Sequence, residues 1–475
     1  MNKTNDKFRV FINSAVVMTA VLIENLIFFI INIVIARYLS IEHFGEYTTA
    51  LGYATFFSTI TNIGINQTLI RATNLHPDME RENFSAAFFI KCILGTAVYG
   101  IMALSLYFTN YSSELVILTL IMGLFRIGNE FLSSFYSFFD AKESFVLSSV
   151  FRIVFSAAFL LITLSVVFFR GGLFDFAYMR LWLVVVFFAV LIAVYWRLIS
   201  SGTSISNLIA FFKESISFGI FNILGNIYQR MNIIILSVMH GSLYTGFFSN
   251  GFIFFTTLFI IPLNISRVLL PYLYKISYDD DSSKFKFAFD IYSKFLTIAS
   301  FWMMTLAIIS AEPVIEVIFG SKYNHSAVIL QISAAGIPFI FTIAPTLITA
   351  LDRQRALTGI YLYGFILSII SNFILIYLYK AEGAAAAAVL TYGYIYAASN
   401  YYLIKKRITS TKGTLKVFIS QAAISGICFA INTFFMADFY WINSLMAITF
   451  IYTILNIIFI INKNDLRILN EIISG

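Results

Sequence analysis

The chain has 475 residues, 60% of them hydrophobic and 12% charged, with a mean hydropathy of +0.87. A soluble domain of this size needs more charge on its surface, so the composition excludes one and leaves a polytopic membrane protein. The formal net charge of +7 then reports where the loops lie rather than an affinity for nucleic acid, and no nucleic-acid partner is expected.

Met1 to Arg9 is polar. Phe11 to Ala36 is an apolar run too long for a signal-peptide core, without a persuasive cleavage site, and reads as a first spanning helix. Further spans are read near 48–70, 86–109, 115–139, 146–168 and 177–196. The remainder lie near 217–238, 246–270, 295–318, 327–350, 357–379, 384–404, 416–436 and 441–462. Together these make about 14 spans, each long enough to cross a bilayer as a helix. With the N-terminus inside, 21 of the 31 Lys and Arg residues fall in cytoplasmic segments. Five fall in external ones: Arg37, Arg170, Arg180, Lys322 and Lys380. That asymmetry predicts two cytoplasmic termini in the cytoplasmic membrane. The other five, Lys91, Arg126, Arg152, Arg230 and Arg267, lie at membrane depth.

The second half of the chain repeats the first. A shift of 201 residues places Asn25 on Asn226 and Gly45 on Gly246; a shift of 203 places Lys91 on Lys294; a shift of 212 places Asp140 on Asp352. Six is an even number of spans, so both halves enter from the same side. The expected architecture is all-α, with two parallel six-helix lobes around a central cavity and two extra C-terminal helices. The expected segments are an N-terminal lobe at 10–200, a cytoplasmic linker helix at 201–216, a C-terminal lobe at 217–405 and the extra pair at 412–465.

Four stretches carry a resemblance. ARYLSIEHFGEY (36–47), YTGFFSNGFIFFTTLFIIPLNISRVLLPYL (244–273), IFGSKYNHSAVILQI (318–332) and EGAAAAAVLTY (382–392) keep the order and spacing of segments in polysaccharide flippases. In the last of these, Ala385–Ala386 stands where a second Gly-Ala is usual. Over roughly residues 10–405 the chain resembles that branch of the multidrug, oligosaccharidyl-lipid and polysaccharide exporter superfamily. The resemblance implies a flippase for polyprenyl-pyrophosphate-linked oligosaccharides, such as polysaccharide or O-antigen repeat units. The implied partners are that lipid-linked oligosaccharide, membrane lipids, a proton or sodium ion, and polysaccharide polymerase or assembly proteins.

The intramembrane polar residues are argued from this sequence alone. In span 217–238, Asn222, Asn226 and Arg230 recur every four residues and share a face with Gln229 at its edge. A charge at the bilayer centre costs about 2.5–3.5 kcal/mol on insertion scales, so such a face turns to a protein interior or a water-filled path. It is either glue between helices or the wall of a substrate pathway. Arg126 and Glu130 are one turn apart. They form a self-neutralising pair, or else Arg126 meets a phosphate while Glu130 holds it otherwise. Arg152 carries the same two readings. Lys91 and Arg267 lie nearer the cytoplasmic ends, where long stems are expected to snorkel to the interface; they are weaker cavity candidates. Glu24, mid-span, either binds a coupling proton or sodium ion or pairs with an arginine of a neighbouring helix. Ser58, Asn62 and Asn66 make a face fit for sugar hydroxyls. Pro262, Pro338 and Pro345 are expected to bend their spans. Cys92 and Cys428 read as small core residues.

No long external loop, metal-ligand set, nucleophile–base arrangement or phosphate-cradling glycine loop is present, so no catalytic residue, metal or cofactor is expected. A membrane glycosyltransferase or polymerase would need a sizeable loop domain. A cation-coupled multidrug exporter would favour acidic groups at depth, whereas five cations face two carboxylates, Glu24 and Glu130.

Overall fold

In the computed structural model, residues 3–199, 202–266, 282–351, 353–406, 408, 411–436 and 440–460 are described, and among them helix is the only regular structure. The first helices are α1 (Lys3–Tyr38), α2 (Ile41–Thr61), α3 (Ile65–Leu75), α4 (Glu80–Leu106) and α5 (Ser113–Ala141). They are followed by α6 (Phe145–Phe168), α7 (Leu173–Ile199), α8 (Ile205–His240) and α9 (Ser242–Leu258). Starts are set locally: the hydroxyls of Ser40, Ser112 and Ser204 accept the backbone N–H groups of His43, Leu115 and Asn207 at 3.1–3.2 Å. Outward faces are apolar. On α6, Val146, Val150, Val154, Leu161 and Phe168 are all exposed at a spacing that draws one stripe along the helix. A run of that kind suits lipid and not water. Among the described residues ten helices are long and apolar enough to cross a membrane, or eleven if one bent pair counts as a span. The protein is thus a multi-pass membrane protein.

Ten is a count over the described residues, and within them the breaks and joins have local causes. Span 48–70 is broken where α2 gives way to α3. Gly64 takes φ +71° there, and a Cβ on it would stand 2.2 Å from the Ser215 carbonyl oxygen, so only glycine fits. The linker expected at 201–216 is no separate helix: it runs without interruption into α8, because nothing between Ile205 and His240 breaks the hydrogen-bond ladder. The chain divides into two compact units, Met1–Ser249 and Asn250–Gly475.

In the first unit α1 lies along α6, α2 along α5 and α8, and α5 against α7. Gly45 and Gly246, matched in the repeat, meet each other: a Cβ on Gly45 would come within 3.1 Å of the Gly246 nitrogen. Backbones cross this closely in membranes where residues are small.

The second unit holds α10 (Ser282–Ile309), α11 (Ala311–Phe319), α12 (His325–Ala334), α13 (Ile337–Ile340), α14 (Ala344–Ala350), α15 (Gln354–Lys405), α16 (Thr411–Phe435) and α17 (Trp441–Phe459). Span 327–350 is broken into α12, α13 and α14, with a bend of 42°. Pro338 and Pro345 each sit in the first turn of a new short helix, where a missing N–H costs nothing. Spans 357–379 and 384–404 join as α15, interrupted at Lys380, whose φ is 51°. The extra pair, α16 and α17, packs on α10 through Phe301, Ile424, Cys428, Ile448 and Tyr452. Tyr452 donates to the Ile298 carbonyl at 2.9 Å and to Gln421, which donates in turn to Asn456.

Candidate functional site

Most of the described sequence candidates lie inside the first unit, on helices whose apolar faces look outward. Two groupings carry charge.

The first surrounds Lys91 on α4. Its ammonium donates to Asn66 Oδ1 of α3 at 2.8 Å, to the Glu130 carbonyl of α5 at 2.5 Å and to Ser133 Oγ at 3.2 Å. Asn66 Nδ2 also donates to Ser133 Oγ, at 2.9 Å. Lys91 is completely buried, which corrects the expectation that its stem snorkels to the interface. Three acceptors on two neighbouring helices hold the ammonium inside, and an inward rotamer with its donors satisfied outcompetes reaching for water. Asn62 Oδ1 accepts the backbone N–H of Asn66 at 3.2 Å, bridging the break between α2 and α3. Both asparagines are therefore engaged in holding the bent span.

The second grouping is the Arg152 cluster. Arg152 Nη1 lies 3.7 Å from Glu24 Oε2, so of the two readings of Glu24 the structure displays the pairing with an arginine of a neighbouring helix. The Arg152 guanidinium stands over the Tyr136 ring, 4.7 Å from its centroid, and its Nε is buried without a hydrogen-bond partner. Asp140 shares a hydrogen bond with Ser148 and feels the charge of Arg152. Asn25, beside Glu24, is turned back onto the Val21 carbonyl at 2.7 Å.

Arg126 and Glu130 do not form the ion pair that their spacing allows. Glu130 Oε2 receives Ser133 Oγ at 3.5 Å, while Arg126 Nε is buried and without a hydrogen-bond partner. One turn of spacing brings two side chains to the same face, but their rotamers answer to neighbouring helices. Arg126 feels the charge of Glu130 without an ion-pair contact, and it also lies near Arg180 of α7, close enough for the two to repel.

Arg180 is the residue that reading the sequence missed. Counted as external, it is 4% exposed, with its guanidinium carbon 4.2 Å from the Phe159 ring centroid, 4.8 Å from Tyr47 and 5.5 Å from Phe125. Its helix begins at Leu173, so Arg180 sits two turns inside. The signal available was the start of that helix at the Gly171–Gly172 turn, which places Arg180 beyond its first turn.

Arg230 on α8 is exposed. The side chains of Asn222, Asn226 and Gln229, and the whole of Arg267, lie outside the described residues. Among the described residues no group of three or more His, Cys, Asp or Glu could hold a metal.

The helical architecture of the described residues is one that known membrane transporters share. A structure of the lipid II flippase MurJ in an inward closed conformation superposes with a TM-score of 0.72 at 14% identity, covering 95% of this chain and 98% of that one. An inward-facing multidrug transporter of the MATE family in the MOP superfamily gives 0.65 at 12% identity over 84% and 95%. A MOP superfamily transporter from Pyrococcus furiosus, described as having a binding pocket of reverse polarity, gives 0.59 at 11% identity over 84% and 95%. At such identities the likeness is one of fold. The sequence model of the polysaccharide biosynthesis protein family matches residues 34–328, and the chain belongs to that family. No curated protein matches in sequence.

Proposed function

We propose that the protein is a flippase that carries a polyprenyl-pyrophosphate-linked oligosaccharide across the cytoplasmic membrane by alternating access, with both termini cytoplasmic. The observation that carries this reading is the pair of half-buried arginines at membrane depth whose N–H groups are incompletely satisfied: Arg126 and Arg152 each keep a buried Nε without an acceptor. Arginine is always charged, and its planar fork matches phosphate oxygens. The 3.7 Å contact between Arg152 and Glu24 is long for a charge-assisted hydrogen bond, so an arriving phosphate can displace the carboxylate. Glu24 is then free to take up a proton or sodium ion, which makes it the leading coupling residue, with Glu130 the second. Arg230, Asn222, Asn226 and Gln229 are assigned to the headgroup path on their shared face. A multidrug exporter is the less favoured reading, because cations predominate among these groups.

The test is translocation of a lipid-linked oligosaccharide in proteoliposomes, with and without proton and sodium gradients. Arg152→Ala, and Arg126→Ala combined with Glu130→Gln, should each lower headgroup transport at least about tenfold, the cost of one charge-assisted contact. Glu24→Gln should keep the fold and flatten the dependence on the gradient. Near-normal transport in both arginine variants at matched protein levels would sink the assignment.

A further inference from the structure

Tyr47 of α2, Arg126 of α5 and Arg180 of α7 have one property in common. Each is a hydrogen-bond donor buried without an acceptor: the Tyr47 hydroxyl, Arg126 Nε and Arg180 Nε. Tyr47 is 0% exposed and Arg180 4%. They belong together in space, since the Arg180 guanidinium lies against the Tyr47 ring, and Arg126 is close enough to repel Arg180. The rings of Tyr47, Phe125 and Phe159 stabilise the Arg180 charge through their faces. Ring faces accept nothing from the N–H groups in the guanidinium plane, and they do not relieve the repulsion between two cations. No acidic side chain reaches Arg180 within ion-pair distance among the described residues. A neutral acceptor would satisfy one donor and leave both charges; an oxyanion accepts from all three and cancels the repulsion.

The geometry points to an oxyanion site inside the first unit, formed by Arg126, Arg180 and the Tyr47 hydroxyl, that takes a phosphoryl group. Two sources have this chemistry: the diphosphate of a lipid-linked substrate, in which case the site rests on the flippase reading, and a free inorganic phosphate or pyrophosphate, in which case it does not. Tyr47 donates its hydroxyl hydrogen to the oxyanion, while the two arginines supply the charge.

The experiment is calorimetric binding to the full-length protein in nanodiscs, with inorganic pyrophosphate and a polyprenyl diphosphate as separate probes, alongside the shift each causes in Tm. Tyr47→Phe keeps the ring and removes only the hydroxyl, so it does not depend on the fold tolerating a lost charge. It should weaken binding about three- to tenfold, as expected for one hydrogen bond to a charged group. Arg180→Gln should weaken it by more than about tenfold and abolish the Tm shift, and Arg180→Lys should recover part of the affinity. Binding of the lipid probe alone assigns the site to substrate; comparable binding of both probes assigns it to a free oxyanion. Wild-type affinity for both probes in Tyr47→Phe and Arg180→Lys, or no binding of either probe by the wild type, overturns the site. The two readings fail separately. A protein that translocates lipid-linked oligosaccharide, yet binds both probes independently of Tyr47 and Arg180, keeps the flippase and loses the site. One that does not translocate, yet binds pyrophosphate through these residues, does the reverse.

Discussion

The two units bury different kinds of polarity. In the first, Lys91 and Arg180 are fully buried, with Arg126, Arg152, Glu24 and Glu130 half-buried around them. In the second, the fully buried polar groups among the described residues are all neutral. Gln421, Asn456 and Tyr452 close a hydrogen-bonded set, Thr305 donates to Ser425 at 2.9 Å, and Asn372 donates to the Ser368 carbonyl at 2.8 Å. Neutral amides and hydroxyls that find each other are sufficient to lock helices in a membrane. Charges are costlier there, and chains that keep them use them. On the proposed function, the buried polar groups of the second unit serve adhesion and the charged groups of the first serve ligand chemistry, with one exception, Lys91.

Lys91 is the exception because its donors are already occupied. Lys91→Met should cost the fold about 2–3 kcal/mol by stranding Asn66 Oδ1 and removing the ammonium's contacts to the Glu130 carbonyl and Ser133, visible as a lower Tm in detergent. If Lys91→Met instead kept its stability and lost transport selectively, Lys91 would join the ligand-handling group, and the first unit would have no purely structural charge.

Gln421→Leu probes the other side of the comparison. It breaks the α16–α17 lock and leaves the Asn456 side-chain carbonyl short of a partner, while the Tyr452 hydroxyl keeps the Ile298 carbonyl, for an expected loss of about 1–2 kcal/mol. Transport per folded molecule should stay at the wild-type level. A transport defect as deep as that of Arg152→Ala would erase the distinction between the two units.

The smallest effect is expected where a charge pair lies at the surface. Arg71 and Glu214 meet at 2.9 Å, but their side chains are 54% and 37% exposed. Solvent screens such a pair, and Arg71→Ala should change stability by no more than about 0.5 kcal/mol. A large change in Tm would mean that the contact between α3 and α8 holds more than its exposure implies.

Lys91 and Arg180 show where sequence reading stops. Lys91 is read as snorkelling to the interface and Arg180 as external, and both are buried. Position along a helix follows from hydropathy, which is additive along the chain. The direction a long side chain takes follows from which neighbour offers acceptors or rings. For Lys91 that was Asn66, Glu130 and Ser133; for Arg180 it was Tyr47, Phe125 and Phe159. The same limit explains Arg126 and Glu130, adjacent by spacing and yet unpaired.

What the sequence by itself determined is the membrane class, the helical architecture and the broken span at Pro338 and Pro345, since each depends on local composition and backbone chemistry. It also carried the family through short motifs in a constant order. Only the tertiary structure decided that Glu24 meets Arg152, that Asn62 and Asn66 serve a helix break, and that Tyr47, Arg126 and Arg180 bring unsatisfied donors together. Those contacts join helices distant in the chain, and the rotation of each helix about its axis is set by packing against all its neighbours at once, which no single stretch of sequence encodes.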